Sequence, residues 1–388
     1  MTSTTAPRSD NLKSLSAYRA ALREFLESET ALNEWRDRHY PTVPAQLEHH
    51  AELMHLLYAG GWNRYGWPES AGGLGGDERH RAVLYDELSA HGLPVPGQHL
   101  VMETLGPPTV RFAPEIASTL FVNFLNGSEW WGQGFSEPEA GSDLASLRCR
   151  ATREGDDYII NGQKLWTSYG ATARRLVCLV RTGTAESRHR GLSMILIDVD
   201  TPGLQVRPIA LASGREELAE VFFDSVRVPA SRLIGEHDQG WAVAMYLLQF
   251  ERGMYAWLTS TVLLQGLDNL RTQLRDRGIH RDGAAVRLGN VYLDIVALRS
   301  RSALTVQRLA AGETIGPEAS TDKILLATAE QALYDAARDL LGPLVDVGAG
   351  PDLDAWRDEW WYSRAATILG GSAEVQRGII ADRVLKLP

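Results

Sequence analysis

The sequence predicts a mainly α-helical protein interrupted by a β domain, and three observations carry that expectation. Apolar residues recur at helical spacing from about Leu12 to Phe121, as at Leu53, Leu56 and Leu57 and again at Val83, Leu84 and Leu88. Between Thr152 and Val228 they give way to short runs rich in β-branched and aromatic residues. After Pro229 the helical period returns and continues to the end. The expected organisation is an N-terminal helical domain over residues 1–130, a middle β domain over 131–235 and a C-terminal helical bundle over 236–388.

In the first segment the helical pattern is broken by Tyr65-Gly-Trp-Pro-Glu-Ser-Ala-Gly-Gly-Leu-Gly-Gly76. No strand precedes it and no Lys-Ser/Thr pair follows, so it reads as a compact turn rather than a phosphate cradle. In the middle segment the expected strands are Tyr158-Ile-Ile, Leu176-Val-Cys-Leu-Val, Met194-Ile-Leu-Ile, Leu204-Gln-Val and Glu220-Val-Phe-Phe. Glu154-Gly-Asp-Asp157 and Asn161-Gly162 supply turn chemistry, the second predicting a two-residue hairpin turn. The bundle should contain helices near 238–277, 283–312, 319–341 and 372–385.

The chain has 388 residues, 44% of them hydrophobic, enough for a large core and two or three domains. A formal net charge of -10 argues against a nucleic-acid or anionic-membrane partner. Cys149 and Cys178 stand in unrelated contexts, which predicts neither a disulfide framework nor a cysteine metal cluster and fits a reducing cytoplasm. Met1–Asp10 lack a leader pattern, and no run of about eighteen apolar residues suggests a membrane span. His49, His50 and His80 lack ligand spacing and read as solvated surface rather than metal ligands. Trp130-Trp131 and Trp360-Trp361 read as core or helix-packing residues rather than a platform for nucleic-acid bases.

Glu251 is a lone carboxylate in the apolar, helix-forming run Trp241–Trp257. A carboxylate there is paired, with Arg252 or a neighbouring helix, or exposed at the surface, or kept as an acid or base. The segment Gly134-Phe-Ser-Glu-Pro-Glu-Ala-Gly-Ser-Asp-Leu-Ala-Ser146 concentrates hydroxyls, carboxylates and exposed amides. It suits a polar heterocycle or phosphate, or equally a helix entry capped by Ser142 or Asp143. Trp166 and Ser168 fall two residues apart at the end of an expected strand, where one face can present both.

Taken together, Ser136-Glu-Pro-Glu-Ala-Gly-Ser-Asp143, Asn161-Gly-Gln-Lys-Leu-Trp166, Pro68-Glu-Ser-Ala-Gly-Gly-Leu-Gly75 and Gly370-Gly-Ser-Ala-Glu-Val-Gln-Arg377 resemble the motifs of the acyl-CoA dehydrogenase family. The resemblance covers nearly the whole chain and implies a helical domain, a β-barrel-like middle domain and a C-terminal four-helix bundle. It implies FAD as cofactor, with Phe135, Ser136 and Gly141 in the flavin-binding segment, Trp166 on the isoalloxazine and Ser168 facing N5. Ser142 is then expected near the pyrophosphate or the pantetheine arm, and Ser372 and Glu374 at the adenosine half. One branch of the family carries its catalytic glutamate at the start of the last motif, where this chain has Gly370. Another carries it on a bundle helix directly before an arginine, which Glu251-Arg252 matches. The resemblance thus implies Glu251 as base, the Gly370 amide on the thioester oxygen and Arg252 near the substrate.

Two departures bear on partners. An Arg-x-x-Phe-Gly segment that serves the flavin of a neighbouring subunit is missing, and Leu341-Gly-Pro-Leu-Val-Asp-Val-Gly348 stands where adjacent glycines are expected. The expected partners are an acyl-CoA substrate and an electron-transfer flavoprotein-like acceptor. The expected assembly is a homotetramer or homodimer in which Arg271, Arg275 or Arg281 replaces the missing arginine, against a complex with a related second subunit. The rival activities are dehydrogenation of a carrier-protein-bound acyl group, a flavin oxidase or monooxygenase reaction, and a noncatalytic role.

Overall fold

A computed structural model of the chain describes residues 10–36, 40 and 42–387. Of the opening stretch in which no leader is expected, Met1–Ser9 lie outside the described residues. The chain forms two compact units: one from the described residues of Pro41–Gly75 and Pro96–Phe250, the other from those of Arg8–Tyr40, Gly76–Val95 and Glu251–Pro388.

The first unit contains an eight-stranded sheet of β1 (Trp131–Gly134), β2 (Arg150–Glu154), β3 (Asp157–Ser168), β4 (Arg175–Arg181), β5 (Leu192–Asp198), β6 (Leu204–Ile209), β7 (Leu218–Pro229) and β8 (Leu233–Ile234). The pairing order is β6-β7-β3-β2-β4-β5-β8, with β1 parallel to β4. Alternation in β4 and β5 explains why both strands are apolar on both faces, over 176–180 and 194–197. Leu176, Cys178, Val180, Ile195 and Ile197 join one core, and Val177, Leu179, Met194 and Leu196 join another. The second core includes Met102 and Leu105 of the helix Gly97–Phe112 and Val243 and Leu247 at the start of the helix Gly240–Asp276.

Asn161-Gly162 is not the hairpin turn its sequence suggests. The turn lies at Gly155, with φ +61°, between β2 and β3, while Asn161-Gly162 falls inside β3 at an irregularity in its pairing with β7. A Cβ at Gly162 would lie 2.7 Å from Cys149 Cα, so the glycine answers a close backbone approach. The loop Tyr65–Gly75 closes on itself, with Gly66 N donating to Gly75 O at 2.7 Å and Gly75 N to Trp67 O at 2.9 Å.

Two histidines expected at the surface are buried. His50 follows Leu47 and precedes Met54 and Leu57 at spacings of three and four, on the buried face of the helix Val43–Ala59. In the second unit, the His80 ring accepts a bond from Asp77 N at 3.2 Å, completing an N-terminal cap, and packs edge-on against Tyr18. Trp130 and Trp131 are core residues, and Trp360 is packed under the guanidinium groups of Arg338 and Arg364. Trp361 departs from the expectation and is 43% exposed.

The second unit is helical. The long helix continues through Asp276 and is followed by Ala284–Ala310, Ala319–Leu341, Pro351–Ser363 and Ala373–Ile379, the last running into a wider turn over Ile380–Leu385. Leu263, Leu270, Ile295, Leu298, Leu326, Leu333, Leu340 and Trp356 fill its core. The helices Pro343–Val347 and Pro351–Ser363 were not anticipated, although each starts on a proline after a glycine, a helix-entry signal.

Within this core Asp322 is fully buried, 2.9 Å from Thr305 Oγ1 and 3.5 Å from Arg301 Nη2. Desolvation raises its pKa to about 6 against the opposing pull of Arg301. A carboxyl whose folded-state pKa is raised favours folding while protonated, so this contribution is present below about pH 4 and lost as pH rises through about 6. Thermal unfolding of Asp322→Asn should therefore show a variant-minus-parent stability difference that moves in the variant's favour by about 2–3 kcal/mol between pH 4 and pH 7. A difference that stays constant across that range contradicts the assignment.

Candidate functional site

In the first unit, two of the sequence motifs are joined by one buried ion pair. Lys164 Nζ, fully buried in β3, lies 2.7 Å from Glu137 Oε1 and donates to Phe135 O at 3.1 Å. Glu137 also accepts from Arg148 N at 2.6 Å and Cys149 N at 2.9 Å, so both its oxygens are engaged. Leu165 N donates to Ser136 O at 2.9 Å, fixing the two segments a second time. Phe135 is buried and Ser136 half-buried.

Beyond Lys164 the strand changes phase. The β3–β7 register shifts between Lys164 and Thr167, and Trp166 takes a left-handed backbone with φ +60°. Regular alternation would put Trp166 on the same side as Lys164. The shift instead buries Lys164 and Thr167 and leaves Trp166 51% exposed. A large aromatic residue is thus held outward on a left-handed backbone, a conformation costing about 1–3 kcal/mol. Ser168, half-buried, pairs with Leu218 on β7. Trp166 and Ser168 thus share a strand end, reached through an irregularity rather than simple alternation.

Gly141, Ser142 and Asp143 are exposed. Asp143 precedes a single turn, Leu144–Ser146, without a side-chain cap, and pairs with Arg188 at 2.6 Å. The following backbone is held by Arg181, which donates to Ala145 O at 2.7 Å, Leu147 O at 3.1 Å and Arg188 O at 2.6 Å. Burial lowers the Arg181 pKa from its ordinary value.

In the second unit, Glu251, Arg252, Lys323 and Gly370 come together. A Cβ built on Gly370 would lie 2.6 Å from Glu251 Oε1 and 3.3 Å from Lys323 Cε. Gly370 itself has φ +60°. The two positions that the sequence offers for a base therefore border one space, and the side chain from 251 occupies it. Lys323 Nζ donates to Ala366 O at 2.6 Å, in the turn leading to Gly370. Desolvation lowers the pKa of Arg252 and of Lys323, and the Glu251 carboxylate opposes that shift in both. Ser372 caps the helix Ala373–Ile379 through Val375 N at 3.3 Å, and Glu374 is exposed in its first turn.

The arginines considered as replacements have local partners. Arg271 pairs with Asp268 at 2.5 Å and Arg275 with Asp276 at 3.0 Å, while Arg281 donates to Leu340 O at 2.8 Å. Lys164, Arg181 and Lys323 escaped the sequence reading. Lys164 lies within Asn161-Gly-Gln-Lys-Leu-Trp166, and its charge in an otherwise apolar strand position was the available signal.

A helical N-terminal region, a sheet domain carrying two linked motifs and a helical bundle bearing an internal carboxylate define one architecture. Residues 13–116, 132–226 and 238–385 match, respectively, the N-terminal, middle and C-terminal domain profiles of acyl-CoA dehydrogenases. The chain belongs to the acyl-CoA dehydrogenase family and is an oxidoreductase of that class. It is similar to acyl-CoA dehydrogenase IpdE1 of Mycobacterium tuberculosis, at 38% identity over 86% of each chain. The IpdE1 of Mycolicibacterium smegmatis is 35% identical over 88% of each. The solved structure described as the Tcur3481-Tcur3483 steroid ACAD superimposes with a TM-score of 0.82 at 27% identity, covering 96% of this chain and 97% of that one. Family members are flavoproteins. Among the described residues, no helix is long and apolar enough to cross a membrane.

The Glu137–Lys164 pair yields a stability prediction. Lys164→Met should lower stability by about 3–5 kcal/mol by leaving a buried carboxylate without its cation. Adding Glu137→Gln should recover part of the loss, since the amide leaves no unpaired charge. Denaturant melts of both single variants and the double variant measure the coupling; additive effects would show that the pair does not act as a unit.

Proposed function

We propose that the chain oxidises the α,β carbon–carbon bond of an acyl-CoA thioester, with FAD as electron acceptor and Glu251 as the base. The observation that carries this reading is the Glu251 carboxylate oxygen lying where a side chain at position 370 would begin. Gly370 lacks a side chain and Glu251 fills the adjoining space, so one carboxylate is presented beside the last motif, and a second side chain at 370 would start from a strained, left-handed backbone.

The chain's own residues supply three functions. Glu251 takes the α-proton, and Arg252 and Lys323 lie close enough to interact with its charge. The Gly370 backbone N–H donates to the thioester oxygen as negative charge develops there, a role worth about 3 kcal/mol at comparable sites. Trp166 offers an exposed ring for the isoalloxazine, with Ser168 two residues along the same strand and Ser136 on the segment bonded to Leu165, while exposed Gly141 and Ser142 are assigned to a pyrophosphate or pantetheine group. Ser372 and Glu374, at the start of the helix Ala373–Ile379, are assigned to the adenosine half. FAD, when bound, supplies the hydride acceptor for the β-hydrogen.

The proposed substrate carries a branched, cyclic or otherwise bulky acyl group. The name of the steroid-acting structural relative supports that class. The same name pairs two proteins and so favours examining the second-subunit assembly beside the homo-oligomer. The flavin-to-chain ratio and native mass of protein expressed alone separate them.

Glu251→Gln should retain flavin and bind thioester while losing flavin reduction by several orders of magnitude, because the amide keeps the shape and removes the base. Substantial turnover in that variant would sink the assignment. Adding Gly370→Glu should restore only part of the rate, since the new side chain starts from a left-handed backbone and approaches the α-carbon from another direction. In anaerobic bleaching with an acyl-CoA panel, bulky or cyclic thioesters should show higher specificity than butyryl-CoA. The reverse order removes the substrate proposal while leaving the base assignment intact.

A further inference from the structure

The proposed chemistry requires two groups on separate elements to hold a fixed separation. Glu251 is on the helix Gly240–Asp276, and the Gly370 amide ends the turn that follows the helix Pro351–Ser363. Lys323 belongs to a third element, the helix Ala319–Leu341, and lies beside both positions. Its ammonium donates to Ala366 O at 2.6 Å, four residues before Gly370. Its Cε lies 3.3 Å from the point where a Gly370 Cβ would sit, and Glu251 Oε1 lies 2.6 Å from that same point. Gln331 of the same helix donates to Ser363 O at 3.0 Å, tying down the other end of the turn. A surface lysine would serve neither purpose; this one is half-buried and spends a hydrogen bond on the carbonyl of Ala366.

We propose that Lys323 is a positioning residue that sets the distance between the base Glu251 and the thioester-binding amide of Gly370, and presents its charge to that base. The proposal rests on the reading of Glu251 as the base. The charged groups acting on Lys323 are Glu330 from its own helix and Glu251 and Arg252 from the long helix. Burial lowers its pKa, while both carboxylates act to keep it cationic. A cation beside a carboxylate favours the ionised, proton-accepting form of that carboxylate. Loss of Lys323 therefore has two separable effects: a looser turn at 364–370, and a base that holds its proton to higher pH.

The test compares Lys323→Met, which keeps the length of the stem, with Lys323→Arg, which keeps a cationic donor. Flavin content and thermal unfolding are measured on both. Two reactions are then followed across pH: flavin reduction by a substrate thioester, and α-hydrogen exchange of 3,3-dimethylbutyryl-CoA in D2O. That thioester has α-hydrogens but no β-hydrogen, so its exchange reports proton removal without hydride transfer. In Lys323→Met both rates should fall about 10- to 100-fold, with the acidic limb of the exchange profile moved to higher pH. Lys323→Arg should return the limb towards its parental position. A parental rate and profile in Lys323→Met overturns the proposal. So does an equal loss of stability and flavin in both variants with an unmoved limb, which is the result of a purely structural role. Glu251→Gln run in the same exchange assay keeps the failures apart: if it still exchanges, the base assignment fails; if it does not while Lys323→Met behaves as the parent, the positioning role alone fails.

Discussion

The ion pair between Glu137 and Lys164 is the interaction on which the organisation of the sheet unit's candidate surface depends. Both groups are removed from water, and each is satisfied more than once: the carboxylate by two backbone amides and the ammonium by a backbone carbonyl. Such a pair is stabilising only when its geometry repays desolvation, and that requirement fixes the Ser136–Glu137 backbone against β3. The phase change that turns Trp166 outward begins where this anchor ends. One interaction therefore explains why two motifs separated along the chain belong together.

In the helical unit the candidate site is organised around one crowded position. Gly370 and Glu251 border one small volume, and the positive φ at Gly370 disfavours a side chain there even before the carboxylate is considered. Lys323 closes that volume from a third side. Here the hydrogen-bonded turn and the flanking cations place a single carboxylate beside the backbone at Gly370, among fixed dipoles and charges.

Much of this was legible in the sequence. The helical and strand periods located the sheet strands and the long helices because their apolar residues recur with the spacing the folded faces require. That positions 370 and 251 belong together was readable because a missing carboxylate and a displaced one point to the same place, and the fold brings the two side by side. Other features were hidden. Asn161-Gly162 has the composition of a turn, but the approach of Cys149 makes it an irregularity within a strand, a constraint supplied by a distant residue. His50 and His80 were misplaced because their types suggest solvent, whereas burial is decided by their position on a helix face. Lys323 lay in an ordinary amphipathic helix, and only the fold brings it to Ala366 and Gly370.

The crowding at Gly370 also bears on how a chain of this kind can change over time. A glutamate acquired at 370 while Glu251 remains would start from a left-handed backbone and bring two carboxylates towards one space, where the Glu251 side chain must shift and like-charge repulsion opposes the ionisation of both. On the proposed assignment, losing Glu251 first would remove the base. Either single step then carries a cost, which couples the two positions. A lineage that has settled on one arrangement is held there by the geometry of the turn, whatever acyl group it later comes to accept.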